Sequence, residues 1–138
     1  MNAINKVPVK DNVKIDMKMK FSILWIFATL NYIYADVFTL FFVPGAQKEA
    51  GTMTAGAVLG FAVLMETAIA MVLLSRVLKY GANRWANIIV GAINTAAVFL
   101  TTFAGATPAP FNAFFAAIEI ACTLVIIWYA WKWPNPED

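Results

Sequence analysis

Four long apolar stretches, each separated from the next by a short polar or turn-forming segment, set the pattern of this chain. They cover about residues 21–43, 54–78, 85–104 and 111–131. Crossing about 30 Å of hydrocarbon takes roughly 20 helical residues, because only a helix or a closed barrel satisfies every backbone polar group in lipid. Each stretch meets that length, so the pattern predicts four transmembrane helices. All six prolines fall outside the stretches, as expected where each would break a helical ladder. Gly81 sits where the second helix should stop and Asn83 where the third should be capped, so residues 79–84 read as a tight hairpin. The predicted fold class is all-α: an integral membrane antiparallel four-helix bundle over residues 21–133, with a cationic tail over 1–20 and a short tail over 134–138.

Within the first tail, residues 13–20 alternate apolar and charged side chains with the period of a strand rather than a helix. The plain reading is a cationic segment held along anionic headgroups. A strand pairing with a second copy of the chain is the sharper alternative.

Composition agrees with the bilayer as solvent. The chain is 62% hydrophobic and 13% charged, against about 45–50% and about 25% in soluble domains. It has no histidine and a single cysteine, Cys122, which excludes internal disulfides, cysteine-cluster or histidine-ligated metal sites, and Ser-His-Asp or Cys-His catalysis. No cofactor is expected. Cys122 reads as a small packing residue. The net charge of +2, with no basic stretch interleaved with aromatic residues, gives no sign of nucleic-acid binding.

The positive charges are placed asymmetrically. Of the 10 Lys and Arg residues, all but Lys48 lie in the N-terminal tail, the connection around 76–84 or the C-terminal end. The positive-inside rule then puts both termini in the cytoplasm of a multi-pass protein of the cytoplasmic membrane. All five tryptophans, Trp25, Trp85, Trp128, Trp131 and Trp133, fall at the same predicted ends, where indole rings favour the headgroup layer. The first stretch is too long for a signal-peptide core and no small-x-small site follows it, so it reads as a permanent helix.

Candidate chemistry lies in three carboxylates within apolar helices: Asp36, Glu66 and Glu119. None has a basic partner at its depth, and one such group costs about 2.5–3.5 kcal/mol near mid-membrane on insertion scales. They are expected to face one another. Helical spacing supplies polar stripes to receive them. In the first helix Trp25, Thr29, Tyr32, Asp36 and Thr39 share a face, in the third Asn87, Gly91, Asn94, Val98, Thr101 and Gly105, and in the fourth Asn112, Ala116, Glu119, Thr123, Ile126 and Ala130. In the second, Gly56 and Gly60 form a small-xxx-small pair that permits close approach. Counting inward from the helix ends puts Asn31, Glu66 and Asn94 near the midplane, with Asp36 and Glu119 displaced outward. The expectation is one outward-opening cavity lined by the three acids with Asn31, Tyr32 and Asn94, and ringed by Phe38, Phe41, Phe42, Phe103, Phe111, Phe114 and Phe115. Glu-x-Ala recurs at 66–68 and 119–121, and Asn31 parallels Asn94, hinting at two related helical hairpins with a site between them.

Through NYIYAD (31–36), METAIAMVLLSRVLKY (65–80), NRWANI (83–88) and IEIACTLVIIWYAW (118–131), the chain resembles a family of small prokaryotic four-helix membrane proteins known only as a domain of unknown function. The resemblance implies the fold and a bacterial or archaeal inner membrane, and no activity. In size and helix count the chain is also similar to DoxX-like proteins, some of them linked to quinone or thiol redox systems, although it carries no cysteine pair or quinone motif.

A carboxyl group held away from water without a cation tends to keep a proton, which makes it a proton carrier or a cation site. The leading expectation is binding or translocation of a small cationic or protonatable solute by Asp36, Glu66, Glu119, Asn31, Tyr32 and Asn94, with a homo-oligomer plausible at this size. A second reading is a structural or partner-binding membrane protein whose acids hydrogen-bond the bundle together. A third is a lipid-phase enzyme using two acids as acid and base, with no motif in direct support.

Overall fold

The computed structural model describes residues 15–137, and every regular element among them is helical. Helix α1 spans Met17–Phe42, α2 Ala46–Gly51, α3 Ala55–Val77, α4 Tyr80–Phe103 and α5 Pro110–Lys132. All but α2 are long and apolar enough to cross a membrane, so the chain is a multi-pass membrane protein with four spans. The short α2 is an addition to the four expected helices. It follows Pro44 and Gly45, and Gly45 takes a φ of 84°, a conformation glycine adopts without steric cost. At its far side, Thr54 caps α3 by accepting a hydrogen bond from the Ala57 backbone N–H at 3.2 Å. Pro110 opens α5 at the first helical position, where its missing N–H leaves nothing unmade.

Two expected boundaries move. Residues 17–20 are the first turn of α1, not an extended strand, because Met17 packs against the bundle core and Lys20 Nζ lies 5.5 Å above the Tyr129 ring. Residues 13 and 14 of that alternating segment lie outside the described residues. The expected six-residue hairpin shrinks to Leu78 and Lys79, with Gly81 inside the first turn of α4. Asn83 does not cap α4. It is fully buried, and its Nδ2 donates to the Ser75 carbonyl at 2.7 Å, one of the last-turn carbonyls of α3 that have no partner within the helix.

The long helices alternate in direction around a ring in the order α1, α3, α4, α5. The α4–α5 contact is the most extensive and the α3–α4 contact the slightest. The end that holds the start of α1, the end of α5 and the Leu78–Lys79 connection is closed. There Trp25 Nε1 donates to Asn87 Oδ1 at 2.8 Å across the bundle, and Asn87 Nδ2 donates to the carbonyl and side-chain oxygens of Asn83 at 2.9 and 2.7 Å. Arg84 donates to the carbonyls of Ala130 and Trp131 at 3.1 and 3.2 Å, capping the C-terminus of α5. Tyr80 Oη donates to the Trp133 carbonyl at 2.7 Å, and the Trp133 ring packs on Phe21.

Trp25 therefore corrects the expected indole belt. It is completely buried two turns inside α1, because its N–H finds a buried acceptor in Asn87, while Trp85, Trp128 and Trp131 remain exposed.

The opposite end is open. Tyr32 on α1, Ala68 on α3, Asn94 on α4 and Ala116 on α5 are the last buried residues toward it. Beyond them α1 and α5 stay joined through Phe38, whose ring meets Phe111 and Phe115, and through Thr39 Oγ1, which donates to Asn112 Oδ1 at 3.0 Å. Helix α3 stands away, with every residue from Ala55 to Val63 exposed. The phenylalanines do not ring a cavity. Phe38, Phe111 and Phe115 seal the α1–α5 seam, and Phe41, Phe42 and Phe114 point outward.

Candidate functional site

The stripe on α1 faces the centre of the bundle. Trp25 and Tyr32 are buried, Thr29 and Thr39 are half-buried, and Asp36 is exposed only where the bundle opens. The stripe on α5 faces it, with Ala116, Glu119, Thr123, Ile126 and Ala130 all buried. Glu119 is 4% exposed and Tyr32 is 6% exposed. The Asp36 carboxyl and the Tyr32 hydroxyl both lie within electrostatic reach of Glu119.

Three buried polar atoms here have no hydrogen-bond partner: Glu119 Oε1, Tyr32 Oη and Thr29 Oγ1. Buried polar groups in folded proteins are almost always paired, and leaving one unpaired costs about 1–3 kcal/mol. Glu119 and Tyr32 sit at the level where the closed half of the bundle gives way to the open cleft, whereas Thr29 is a turn deeper and lines the outer groove between α1 and α3. Polar groups just beside them are satisfied. Thr95 and Thr123 share a hydrogen bond at 2.7 Å, and Thr123 Oγ1 lies 3.1 Å from the Glu119 carbonyl. The unpaired Glu119 and Tyr32 atoms are thus local to the floor of the cleft.

The expected site residues divide. Asp36, Glu119 and Tyr32 come together. Asn94 is buried beside them, but its Nδ2 donates to the Val90 carbonyl at 2.9 Å and to Thr67 Oγ1 at 3.3 Å, so its amide N–H groups join α4 to α3. Asn31 sits off the α1 stripe by about 100°, and its Nδ2 donates to the carbonyl of Phe27, in its own helix, at 2.8 Å. Glu66 is exposed, half a turn round α3 from the buried Ala68, Met71 and Ser75, and does not join the other two acids. Glu66 faces outward and Glu119 inward, so the recurring Glu-x-Ala does not mark equivalent positions. Thr29 lies on the α1 stripe but lines the groove between α1 and α3, so it is not placed beside Glu119.

The space above Glu119 is an open cleft rather than the polar-lined cavity expected. Its α3 wall, by the spacing back from Ala68, is Leu64, Phe61 and Ala57, all apolar. Gly56 and Gly60 do not bring helices together, since a methyl group built on either meets nothing within 4 Å. Two grooves on the outside of α1, one against α3 and one against α5, are lined almost wholly by apolar residues and hold no carboxylate.

Because Glu66 faces out in the folded bundle and in a separated helix alike, Glu66→Gln is expected to shift bilayer unfolding stability by no more than about 0.5 kcal/mol. A loss well beyond that would place its carboxyl in a contact within the bundle.

No curated protein and no solved structure matches the chain. A family described only as a family of unknown function, DUF6326, matches it over residues 12–137, and the chain belongs to that family.

Proposed function

We propose that this protein binds, and by binding can pass across the membrane, a small cationic or protonatable solute held by Asp36 and Glu119, with Tyr32 as a hydrogen-bonding neighbour. The observation that carries the reading is the unpaired Glu119 Oε1, buried next to the unpaired Tyr32 hydroxyl. An ammonium group set there supplies the missing donors and offsets the carboxylate charge, turning a local deficit of hydrogen bonds into a binding site. Against a purely structural role, an acid that served as glue would have spent both oxygens on neighbouring helices. The charge distribution supports both termini being cytoplasmic, which turns the open cleft outward.

The test is Glu119→Gln in lipid nanodiscs, read by thermal midpoint and by equilibrium dialysis of two radiolabelled probes, methylammonium and decylammonium, whose N–H groups can serve as the donors. The expected result is a midpoint equal to or above that of the wild type, with saturable probe binding reduced at least tenfold. A group kept for binding contributes little to stability. A marked fall in the midpoint, or unchanged binding of both probes, overturns the proposal.

A further inference from the structure

The polar and apolar groups of the cleft are arranged in a way that selects among cationic solutes. Its floor holds the unpaired atoms of Glu119 and Tyr32, with Asp36 one turn farther along α1 toward the open end. Two hydroxyls higher up are committed: Thr39 donates toward Asn112 Oδ1 and the Ala35 carbonyl, and Thr101 to the Ala97 carbonyl at 2.8 Å. The α3 wall is apolar from Leu64 to Ala57. A bound molecule therefore meets carboxylates at its deep end and hydrocarbon along its length.

The sides of the cleft are as telling as its walls. Helices α3 and α4 are tied at Thr67 and Asn94, and two turns farther toward the open end Gly60 and Thr101 are both exposed. A methyl group at Gly60 would meet nothing within 4 Å. On its other flank α3 leaves Val58 51% exposed. The cleft thus opens sideways, along both edges of α3, to the lipid tails as well as to the water beyond.

We propose that the ligand is an amphiphilic amine of the membrane itself: it enters sideways past α3 from the leaflet at the open end, sets its ammonium head between Asp36 and Glu119, and lays its apolar body along Leu64, Phe61 and Ala57. This rests on the binding role proposed above and names its ligand class. A bare Ca²⁺ fits worse, since it gathers six to eight oxygens and the two carboxyls with the Tyr32 hydroxyl offer five at most. An organic ammonium needs fewer partners, and its apolar body fills a wall that water would wet poorly.

The experiment uses the full chain in nanodiscs with the two alkylammonium probes, which share a head and differ in the tail. Specific binding is the wild-type signal less that of Glu119→Gln, which removes simple partition into lipid. Decylammonium is expected to show saturable specific binding at least tenfold stronger than methylammonium. In a Gly60→Cys, Thr101→Cys pair made with Cys122→Ser, a short bifunctional thiol reagent that joins α3 to α4 is expected to slow uptake of the longer probe at least tenfold, and cleavage of the reagent to restore it. Equal specific binding of both probes, or uptake unchanged by the cross-link, overturns the membrane-amphiphile proposal and leaves the cation-binding role standing. Specific binding of neither probe removes both. Efficient disulfide formation between two Gly60→Cys chains shows that a second copy covers the cleft, and also overturns lateral entry.

Discussion

Trp25→Ala is expected to lower the stability of the folded bundle in lipid by about 3 kcal/mol. In water, truncating a buried tryptophan costs about 3–5 kcal/mol, from lost transfer energy and from the cavity left behind. In a bilayer the transfer contribution largely vanishes, because the separated helix is bathed in hydrocarbon as apolar as the core. The cavity and the hydrogen bond remain. Trp25 is completely buried, and its N–H donates to Asn87 Oδ1 at 2.8 Å. Asn87 is in turn bonded to Asn83, and Asn83 to the last turn of α3, so the loss is felt on three helices. Trp25→Phe separates the contributions. It keeps most of the ring and removes only the donor, for an expected loss of about 1 kcal/mol, within the range of interhelical hydrogen bonds in membranes. Reversible unfolding in bicelles gives both numbers. Equal losses would mean that the hydrogen bond, not the packing, holds α1 against α4, while a negligible loss for alanine would contradict the closed end described above.

That closed end was only partly legible in the sequence. The four spans were, since length and hydropathy decide them in lipid and no soluble alternative competes. The inward stripes on α1, α4 and α5 were also legible, because helical spacing fixes which residues share a face once the helix is given. Where a stripe meets its partner is a tertiary matter. Trp25 looked like an interfacial anchor because its place along the chain fits one, and only the position of Asn87 across the bundle makes it core. Asn83 has the chemistry of a helix cap and serves as one, but for the carbonyls of α3 rather than the N–H groups of α4. Glu66 misled most. Counting inward from the helix ends puts it near the midplane, yet depth says nothing about azimuth, and no polar stripe on α3 fixed which way it faced. The open cleft could not be read at all, because an apolar residue facing a gap and one facing a neighbour are the same letter.

The glycines sharpen that last point and carry the second large effect. Gly91 lies tight against α5: a methyl group built on it falls 2.9 Å from Ile127 Cγ1 and 3.6 Å from the Thr123 carbonyl. Gly91→Ala is expected to cost about 1 kcal/mol, since Ile127 is only half-buried and can yield by a few tenths of an ångström. Gly91→Val is a different case. Its second branch has nowhere to go without prising α4 from α5, which stretches the Thr95–Thr123 hydrogen bond one turn away and the seam that positions Glu119. The expected loss is about 3 kcal/mol, at the upper end for overpacked sites, with weakened probe binding because the floor of the cleft moves. Adding Ile127→Ala to Gly91→Val is expected to restore about half of it, a non-additivity that only direct contact produces. Gly60→Val is the control, because nothing lies within 4 Å of that position and its stability is expected to stay within about 0.5 kcal/mol of wild type. If Gly60→Val were as damaging as Gly91→Val, α3 would have to lie against α4 along its whole length, and the cleft above Glu119 would be closed.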